Sequence, residues 1–476
     1  MTPVTSRSIV YCPARFRGRM VFALVVYGIV LAFVTPPFQT ADEQSHLMRT
    51  YMISRGELAV RTEGSITGQD VPTGLLNYIG QHSTMFHDVV RRYSYERWHL
   101  EAIPPADENS TTLTTFSTQS SSPIYFIPQT LGVWVGRVLY ALSPAQFSWS
   151  GALYFARLGN LAAYVLVFAW AVSIAPRFAT TLMFLAFTPM SLSLAASASY
   201  DVSVILSCVA FFAAVMREAD QSGPVSRRTQ MILILLSFLV GHAKTVYAPV
   251  LLALFLLRGR LARRSMLILA TGCGAAACFG SVVSSQIFGL PERPELQEAM
   301  REQTTYVLGH LATLPGLVWR SLFEYSDRTF ESMLGRLGWM NVHIAAPIIV
   351  AWFGVGLACV FGDGLAGRRP TPLVDAAMLL SGSAIAVFLL FVVMYITWTS
   401  LTTGIGGPLV DSVQGRYLLP LFPFLLGGGS FIISAIARPA YRWRIWIADA
   451  AFSAASAVSI LTVLTIVFRY WIPQPP

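Results

Sequence analysis

A series of long apolar segments, separated by short arginine-containing segments, restricts most strongly what this chain can fold into. About 20 apolar residues are enough to cross a bilayer as a helix. Lipid offers the backbone no hydrogen-bond partners, so such segments must be helical. We predict spans at 18–36, 152–174, 178–198, 201–216, 265–289, 344–362, 372–397, 417–437 and 446–470. The chain is therefore expected to be an all-α, polytopic membrane helical bundle.

One further apolar segment, 229–257, is interrupted by Gly241 to Lys244. It is long for one crossing and short for two, so we interpret it as two short helices that meet at a break. With this pair, the prediction is about eleven crossings in a single membrane domain, 1–476. The composition agrees, because 54% of the residues are hydrophobic and only 12% are charged, unlike ordinary globular domains.

The arginines of the short connecting segments indicate the orientation. Under the predicted spans they all fall on one side: Arg7, Arg15, Arg17, Arg19, Arg227, Arg228, Arg258, Arg260, Arg263, Arg264, Arg368, Arg369, Arg438, Arg442 and Arg444. The positive-inside rule makes this side, and with it the N-terminus, cytoplasmic. Topology then explains the net charge of +9, and we expect no nucleic-acid partner.

Two long loops, 37–122 and 291–343, are then predicted on the outer side. The first is long enough to be functional, and we expect short helices in it. Its end, 110–122, is rich in serine and threonine and is expected to be extended or mobile. The apolar segment 123–142 contains two prolines and an arginine. A span here would invert every later loop, so an interfacial or re-entrant helix is favoured.

Polar residues follow the first span at once, since two prolines end that helix. The sequence Thr40–Glu43 fits a capping box, and Asp42 suits the positive end of a helix, so both carboxylates have a structural interpretation. On the other hand, Asp42, Glu43, His46 and Arg49 within eight residues are more than a cap needs. Carboxylates at a lipid–water boundary can serve as general acids or bases on a substrate that is itself partly lipid.

Lys244 is the only lysine in the chain, and it lies at the predicted outer end of the broken pair. An ionisable group within an apolar segment usually has a functional partner, and a lipid phosphate is a suitable one. Alternatively, Lys244 snorkels to the interface. Asp201 begins a span on the same side, where it either caps the helix or adds a second carboxylate. Asp42 and Asp201 would suit an acceptor hydroxyl or a divalent cation, but two carboxylates do not identify a metal.

A last polar group, Gln414 to Tyr417, precedes the penultimate span on the outer side. The guanidinium of Arg416 can bind a phosphate in bidentate fashion. The alternative is an interfacial anchor formed by Arg416 and Tyr417. The five cysteines lie near the N-terminus or in apolar segments without metal-ligand spacing, so we expect neither a disulfide framework nor a zinc site.

Several of these motifs resemble those of a bacterial integral-membrane family of unknown function that is grouped with the GT-C glycosyltransferases. They are Pro36-Pro37-Phe38, Asp42-Glu43, His46, Arg49, Gly56, Tyr125 to Gln129, Thr188 to Met190, Ser199 to Asp201, Gly335 to Trp339 and Gln414 to Tyr417. The resemblance covers most of the chain. It implies a GT-C-like fold in a bacterial cytoplasmic membrane.

The resemblance also implies roles for the polar residues. Asp42, with Glu43 beside it, matches the catalytic acidic residue of the first outer loop, and Asp201 matches a second acidic residue. Lys244 and Arg416 would hold the phosphate of the donor. Further substrate-binding residues are expected at His46, Arg49, Gln414 and Tyr417. No cofactor is certain, but Mg²⁺ or Mn²⁺ could be held by Asp42 and Asp201.

The function expected from the resemblance is inverting transfer of a sugar from a polyprenyl-phosphate donor to an acceptor outside the cytoplasm, such as a cell-envelope glycan or a lipid-linked saccharide. The bilayer, the lipid-linked sugar and the acceptor are then the partners. A polysaccharide ligase or polymerase fits the same pattern. A transporter or flippase of lipid-linked saccharides is less favoured, since the apolar segments contain few charges. A structural scaffold would leave Lys244 unexplained.

Overall fold

A computed structural model describes residues 14–64, 66–86, 88, 90–94, 108–283, 294–367, 369–411 and 413–472. These residues form a bundle of helices with two small antiparallel sheets, as expected for an all-α membrane protein. Apolar side chains are exposed along the outside of the bundle, for example Phe22, Ile268, Val350 and Phe468. Such a surface fits contact with lipid rather than with water.

The α-helices are, in chain order, α1 Ala14–Val34, α2 Glu43–Ser54, α3 Thr73–Ser83, α4 Ile127–Ala141, α5 Trp149–Ile174, α6 Ala179–Phe187, α7 Pro189–Ala195, α8 Asp201–Asp220, α9 Arg227–Ala243, α10 Arg263–Val282, α11 Pro294–Gly309, α12 Leu314–Glu324, α13 Ser326–Leu334, α14 Ala346–Gly364, α15 Pro372–Met394, α16 Ser400–Thr402, α17 Phe422–Ile436 and α18 Tyr441–Tyr470. The 3₁₀-helices are Pro123–Phe126, Pro176–Phe178, Thr245–Leu257, Leu311–Thr313 and Gly415–Leu421, and Tyr395–Thr399 is a π-helical turn.

The described residues contain eight helices that are long and apolar enough to cross a membrane, or nine if a bent pair counts as one span. The prediction of eleven is not confirmed. The predicted span 178–198 is the bent pair, in which Pro176–Phe187 and Pro189–Ala195 meet at 72°. Pro189 lacks the N–H that a continuous helix would need. The end of the predicted span 265–289 lies outside the described residues.

The break predicted within 229–257 is confirmed. Helix α9 ends at Ala243, Lys244 is extended with φ −156° and ψ 121°, and a 3₁₀-helix follows. Neither short helix qualifies as a span alone. Helix α9 packs closely on α10, since a Cβ at Gly241 would lie 2.2 Å from the carbonyl oxygen of Ala277. The absence of a side chain at this glycine permits the approach.

Arginines from several connecting segments do meet at one end of the bundle. Arg260 binds the Glu218 carboxylate at 3.2 Å. Arg258 and Arg369 both bind Asp375, each at 2.8 Å. Connections far apart in sequence therefore lie together, as the predicted topology requires. Arg7 and Arg368 lie outside the described residues.

The segment 123–142 forms a 3₁₀ turn and the 15-residue helix α4. This helix is too short for a span, in agreement with the favoured interpretation. Its outward side chains Leu131, Trp134, Val135 and Val138 are about half exposed, while its other face packs on α5. An amphipathic helix of this kind suits the boundary between lipid and water.

The described residues of the first long loop form a layer over the bundle. Strands β1 Arg61–Glu63, β2 Ile66–Pro72 and β3 Thr111–Thr114 form an antiparallel sheet in that order, with Arg61 opposite Gly68 and Gln69 opposite Thr114. The loop has its own core, formed with α4 and α5, whose members include Phe38, Leu47, Tyr51, Leu75, Phe116 and Trp149. The end of this loop, 110–122, is predicted to be extended or mobile. Its residues Thr111–Thr114 are extended and form strand β3.

The second long loop contains α11, α12, α13 and a two-stranded hairpin of β4 Arg336–Leu337 and β5 Val342–His343. Gly338 and Met340 in its turn have positive φ angles. The indole of Trp339 donates a hydrogen bond to the carbonyl of Phe38 at 2.9 Å and packs on Phe86. The two loops are thus in direct contact on one side of the bundle.

Candidate functional site

A cavity of about 470 Å³ opens where the first loop meets the ends of several helices. Its polar wall is formed by Asp42, His46, Ser117, Thr118, Ser121, Tyr200, Asp201, Lys244, Thr245, Arg416 and Tyr417. Its opposite wall is mostly apolar and is formed by Val246, Leu390, Val393, Met394 and Trp398, with Thr397. Asp42, Asp201, Lys244 and Arg416, which the sequence analysis selects from four separate segments, therefore line one cavity.

Arg416 lies at the centre of this cluster. Its Nη2 is 2.6 Å from the Asp42 carboxylate, and its Nε is 3.5 Å from the Asp201 carboxylate. Its side chain is only 5% exposed, whereas that of Asp42 is 40% exposed. The buried guanidinium thus bridges two carboxylates from distant segments, and Asp42 is the more exposed of the two.

Lys244 completes the cluster from the break between α9 and the following 3₁₀-helix. Its Nζ lies 3.7 Å from the Asp201 carboxylate and 4.4 Å from the centre of the Tyr417 ring. The ring of Tyr200 lies on another side, at 5.7 Å. A cation over aromatic faces is held by the negative charge of their π systems. The lysine therefore lies in the cavity and binds Asp201 there. These contacts favour a partner for Lys244 within the protein over the alternative that it only snorkels to the interface.

Asp42 has an unusual backbone. Its φ is +63° and ψ is +3°, in the left-handed region, and nearby Phe38 also has a positive φ of 60°. Residues other than glycine avoid this region, and such strain persists only where the surroundings enforce it. Asp42 precedes α2 but its side chain makes no capping hydrogen bond. Its carboxylate is directed to Arg416 instead.

Glu43 enforces this turn, and its predicted catalytic role is not supported by its position. It is fully buried and does not line the cavity. Its carboxylate accepts hydrogen bonds from Arg157 Nε at 2.8 Å and Nη2 at 2.7 Å, and from the N–H groups of Phe38 at 3.0 Å and Ala198 at 2.9 Å. The predicted capping box is also wrong, since Glu43 is the first residue of α2 and its carboxylate is fully used elsewhere.

Arg157 is the important residue that the sequence analysis missed. It also donates to the carbonyls of Ala32 at 2.6 Å, Thr35 at 2.7 Å and Pro36 at 3.1 Å, and thereby binds the end of α1. The signal was an arginine inside the predicted span 152–174. An ionisable residue in such a segment almost always has a partner. The apolar segments contain few charges, but this fully buried arginine is one of them.

Asp201 is positioned by a second buried network. Gln129 donates to Asn160 and to the carbonyl of Ser199, each at 3.1 Å. The amide of Asn160 donates to the carbonyls of Ser197 at 2.7 Å and Ser199 at 3.0 Å. The turn before α8 is therefore fixed to α4 and α5. These two amides, which the sequence does not predict as site residues, fix the backbone turn from which Asp201 follows.

His46 lines the cavity beside Tyr200, with the two ring centres 4.9 Å apart. It is almost fully buried, and its Nδ1 has no hydrogen-bond partner among the described residues. Burial lowers the pKa of His46, although the carboxylates of Asp201 and Asp42 act in the opposite direction. The neutral imidazole can orient a substrate hydroxyl.

Two other residues predicted to bind substrate lie outside this cavity. Arg49 is fully buried and donates to Gln69 Oε1 at 3.1 Å and to the carbonyls of Ser121 at 3.1 Å and Leu58 at 3.3 Å. It braces the first loop. Gln414 is half-buried, and its carbonyl accepts the N–H of Tyr417 at 3.1 Å. Tyr417 itself lines the cavity, as predicted.

The cluster does not suit a divalent cation. Asp42 and Asp201 are both bound by the guanidinium of Arg416, which occupies the place where a shared cation would sit. The described residues also contain no group of three or more histidine, cysteine, aspartate or glutamate side chains that could hold a metal ion.

The thiols of Cys208, Cys273, Cys278 and Cys359 form no disulfide, and Cys12 lies outside the described residues.

Comparison with known proteins identifies the family. A family model described as "Predicted membrane protein (DUF2142)" matches residues 25–425. The chain belongs to this family. The match covers every residue of the cavity, from Asp42 to Tyr417, and both long loops. It bears out the predicted resemblance to a membrane family of unknown function. No curated protein and no solved structure gives a significant match.

Proposed function

We propose that the chain is a GT-C-like membrane glycosyltransferase that moves a sugar from a polyprenyl-phosphate donor to an extracytoplasmic acceptor. The observation that carries this proposal is the cavity itself. Two cations and two carboxylates from four distant segments meet there, opposite an apolar wall that includes Leu390 and Met394. A ligand with a phosphate at one end and a hydrocarbon chain at the other matches both walls.

The charges support a division of labour between the four residues. Lys244 and Arg416 bind the phosphate of the donor and stabilise the charge that develops on it as the lipid phosphate leaves. Asp201, which lies against both cations, keeps them in place. Asp42 is the most exposed member of the cluster and takes the proton of the acceptor hydroxyl.

The reaction follows from these roles. The acceptor oxygen attacks the anomeric carbon of the sugar as the bond from that carbon to the phosphate oxygen breaks, and the configuration is inverted. The proton of the acceptor passes to Asp42, and the lipid phosphate departs as an anion. Arg416 Nη2 lies 2.6 Å from the Asp42 carboxylate. A phosphate that competes for this guanidinium releases Asp42 to act as the base.

The test is a transfer assay with full-length protein in nanodiscs, radiolabelled polyprenyl-phosphate sugars and a membrane acceptor extract. Wild type is expected to label the acceptor, with and without chelator. Asp42→Asn should lose at least about 100-fold in rate, the contribution of a general base. Asp70→Asn is the matched control, since Asp70 lies in the same loop but pairs with Arg61 at the surface.

The outcomes are distinct. Equal rates for wild type and Asp42→Asn would remove the assigned base. No transfer of any labelled sugar by wild type would remove the enzyme assignment. A ladder of products with many sugars would indicate the ligase or polymerase alternative, in which the same cavity joins longer lipid-linked saccharides.

A further inference from the structure

A second, larger cavity of about 1110 Å³ lies at the other end of the bundle. Its lining includes Arg177, Arg217, Asp220, Arg369, Tyr441 and Arg444. The proposed transferase reaction uses none of these residues.

Helix α8 shows that the two cavities are on opposite sides. Asp201 at its start lines the first cavity, and Asp220 at its end lines the second. A helix of 20 residues is about 30 Å long, which is the thickness of the hydrocarbon core of a bilayer. Helix α15 shows the same relation, because Met394 lines the first cavity and Pro370, just before the helix, lines the second.

The second cavity has an excess of positive charge. Among the described residues that line it, four are arginines and one, Asp220, is a carboxylate, so the formal balance of the lining is +3. Arg177 and Arg369 share that carboxylate, at 3.5 Å and 3.0 Å. Arg217 is exposed and has no ion-pair partner among the described residues. Arg369 also binds the buried carboxylate of Asp375 at 2.8 Å. The arginines of this cavity that have no carboxylate within ion-pair distance among the described residues are therefore Arg217 and Arg444.

Arg444 provides an independent indication of a ligand. Its side chain is buried, with the residue only 5% exposed, and its Nη2 donates to the carbonyls of Pro176 at 2.6 Å and Arg177 at 3.3 Å. Its buried Nε has no hydrogen-bond partner in the described part of the chain. Arg444 lines this cavity and also a smaller neighbouring one. A buried donor without an acceptor is costly, and an anion bound at this guanidinium would supply one.

The surroundings of this mouth are those of a membrane surface. Tyr441, Trp443 and Trp446 on the first turns of α18 are more than half exposed. Tryptophan and tyrosine are enriched where a protein crosses the boundary between lipid and water. Basic cavities between membrane helices at this level are typical sites for anionic head groups.

We propose that this second cavity binds a phosphate group, either that of an anionic phospholipid or that of a soluble phosphate ester. Arg444 and Arg217 donate to the phosphate oxygens, and Arg177 and Arg369 add positive charge. A guanidinium is suited to phosphate because its parallel N–H groups match two oxygens at once. The site is separate from the proposed donor site and does not depend on the proposed reaction.

The lipid arm of the test uses native mass spectrometry of the full-length protein in detergent, with equal amounts of phosphatidylglycerol and phosphatidylcholine. Wild type should retain phosphatidylglycerol preferentially. Arg217→Gln and Arg444→Gln should each weaken retention about fivefold, the effect of one basic side chain near an anionic surface. Arg228→Gln, an exposed arginine of α9 that does not line the cavity, is the control with the same loss of charge.

The soluble arm uses isothermal titration calorimetry with inorganic phosphate on protein in phosphatidylcholine nanodiscs. Binding of inorganic phosphate that Arg217→Gln weakens identifies a soluble phosphate ester as the ligand, whereas retention of phosphatidylglycerol alone identifies a lipid. The proposal is overturned if neither probe binds, or if Arg228→Gln reduces binding as much as Arg217→Gln does. If Arg444→Gln fails to fold, the exposed Arg217→Gln still decides the question.

Discussion

Arg416 and Asp42 are 374 residues apart in the sequence, and Arg416 Nη2 lies 2.6 Å from the Asp42 carboxylate. This contact joins the first loop to the start of the penultimate candidate span, Gly415–Ile436. It also places the most exposed carboxylate of the cluster beside its most buried cation.

The Arg416 bridge can be tested by stability. Arg416→Gln leaves the carboxylate of Asp201 with only Lys244, so we expect a loss of about 3 kcal/mol in the free energy of unfolding. The double variant Arg416→Gln with Asp42→Asn should be less damaging than the sum of the two single changes, by about 1 kcal/mol. Thermal unfolding in detergent measures all three. Strict additivity would show that the contact contributes nothing.

Glu43→Gln distinguishes a structural from a catalytic role. It leaves the guanidinium of Arg157 buried without its counter-charge, and we expect a loss of about 3–5 kcal/mol. The neighbouring change Asp42→Asn should alter the melting temperature much less, because Asp42 is 40% exposed. A Glu43→Gln protein with the wild-type melting temperature would contradict the role of Glu43 as a buried clamp.

Lys244→Met should weaken binding of a short-chain polyprenyl phosphate about tenfold, through loss of one charge-assisted contact. Lys244→Arg keeps the charge and should retain most of the affinity. Tryptophan fluorescence of protein in nanodiscs can follow the titration. The corresponding polyprenol, which lacks the phosphate, serves as the control ligand. Equal affinity of wild type for both lipids would show that the cluster does not recognise phosphate.

His46 makes stability depend on pH. Its pKa in the folded protein is below the ordinary value of 6.5, so the unfolded chain binds the proton more readily. The contribution of His46 is complete above pH 6.5 and is lost as the pH falls below it. Between pH 7.5 and 5.5, the melting temperature of wild type should therefore fall more steeply than that of His46→Phe. Parallel pH profiles for the two proteins would contradict this.

The close contact between α4 and α5 predicts a glycine effect. A Cβ at Gly159 would lie 2.2 Å from the carbonyl oxygen of Pro128, so Gly159→Ala must push the two helices apart. Overpacking of this kind costs about 1–3 kcal/mol. Gly354→Ala is the control, because its Cβ would meet no atom within 4 Å. A drop in melting temperature for both variants, or for neither, would show that the close packing is unimportant.

Much of the architecture could be predicted from the sequence because lipid imposes simple rules. Long apolar segments give helices, arginines mark one end, and the interruption before Lys244 ends a helix. The number of spans could not be read so directly. Pro189 bends one apolar segment by 72°, and apolarity alone does not report a bend.

The candidate site was predictable in part. Asp42, Asp201, Lys244 and Arg416 stand out as charged residues at the ends of apolar segments, and they do meet. The different roles of Asp42 and Glu43 could not be predicted, since both are carboxylates and adjacent in sequence. Asp42 binds Arg416 at the cavity, whereas Glu43 binds the buried Arg157. That choice depends on the left-handed backbone of Asp42 and on Arg157, more than 100 residues away.

Helix α8 ends in a different cavity on each side of the bundle, and it is the most enclosed of the candidate spans. A stiff rod that is gripped along most of its length moves as a unit. If Asp201 moves when a ligand binds in the first cavity, the movement would therefore be transmitted to Asp220 in the second cavity. The two sides of the membrane would then be mechanically linked through one helix.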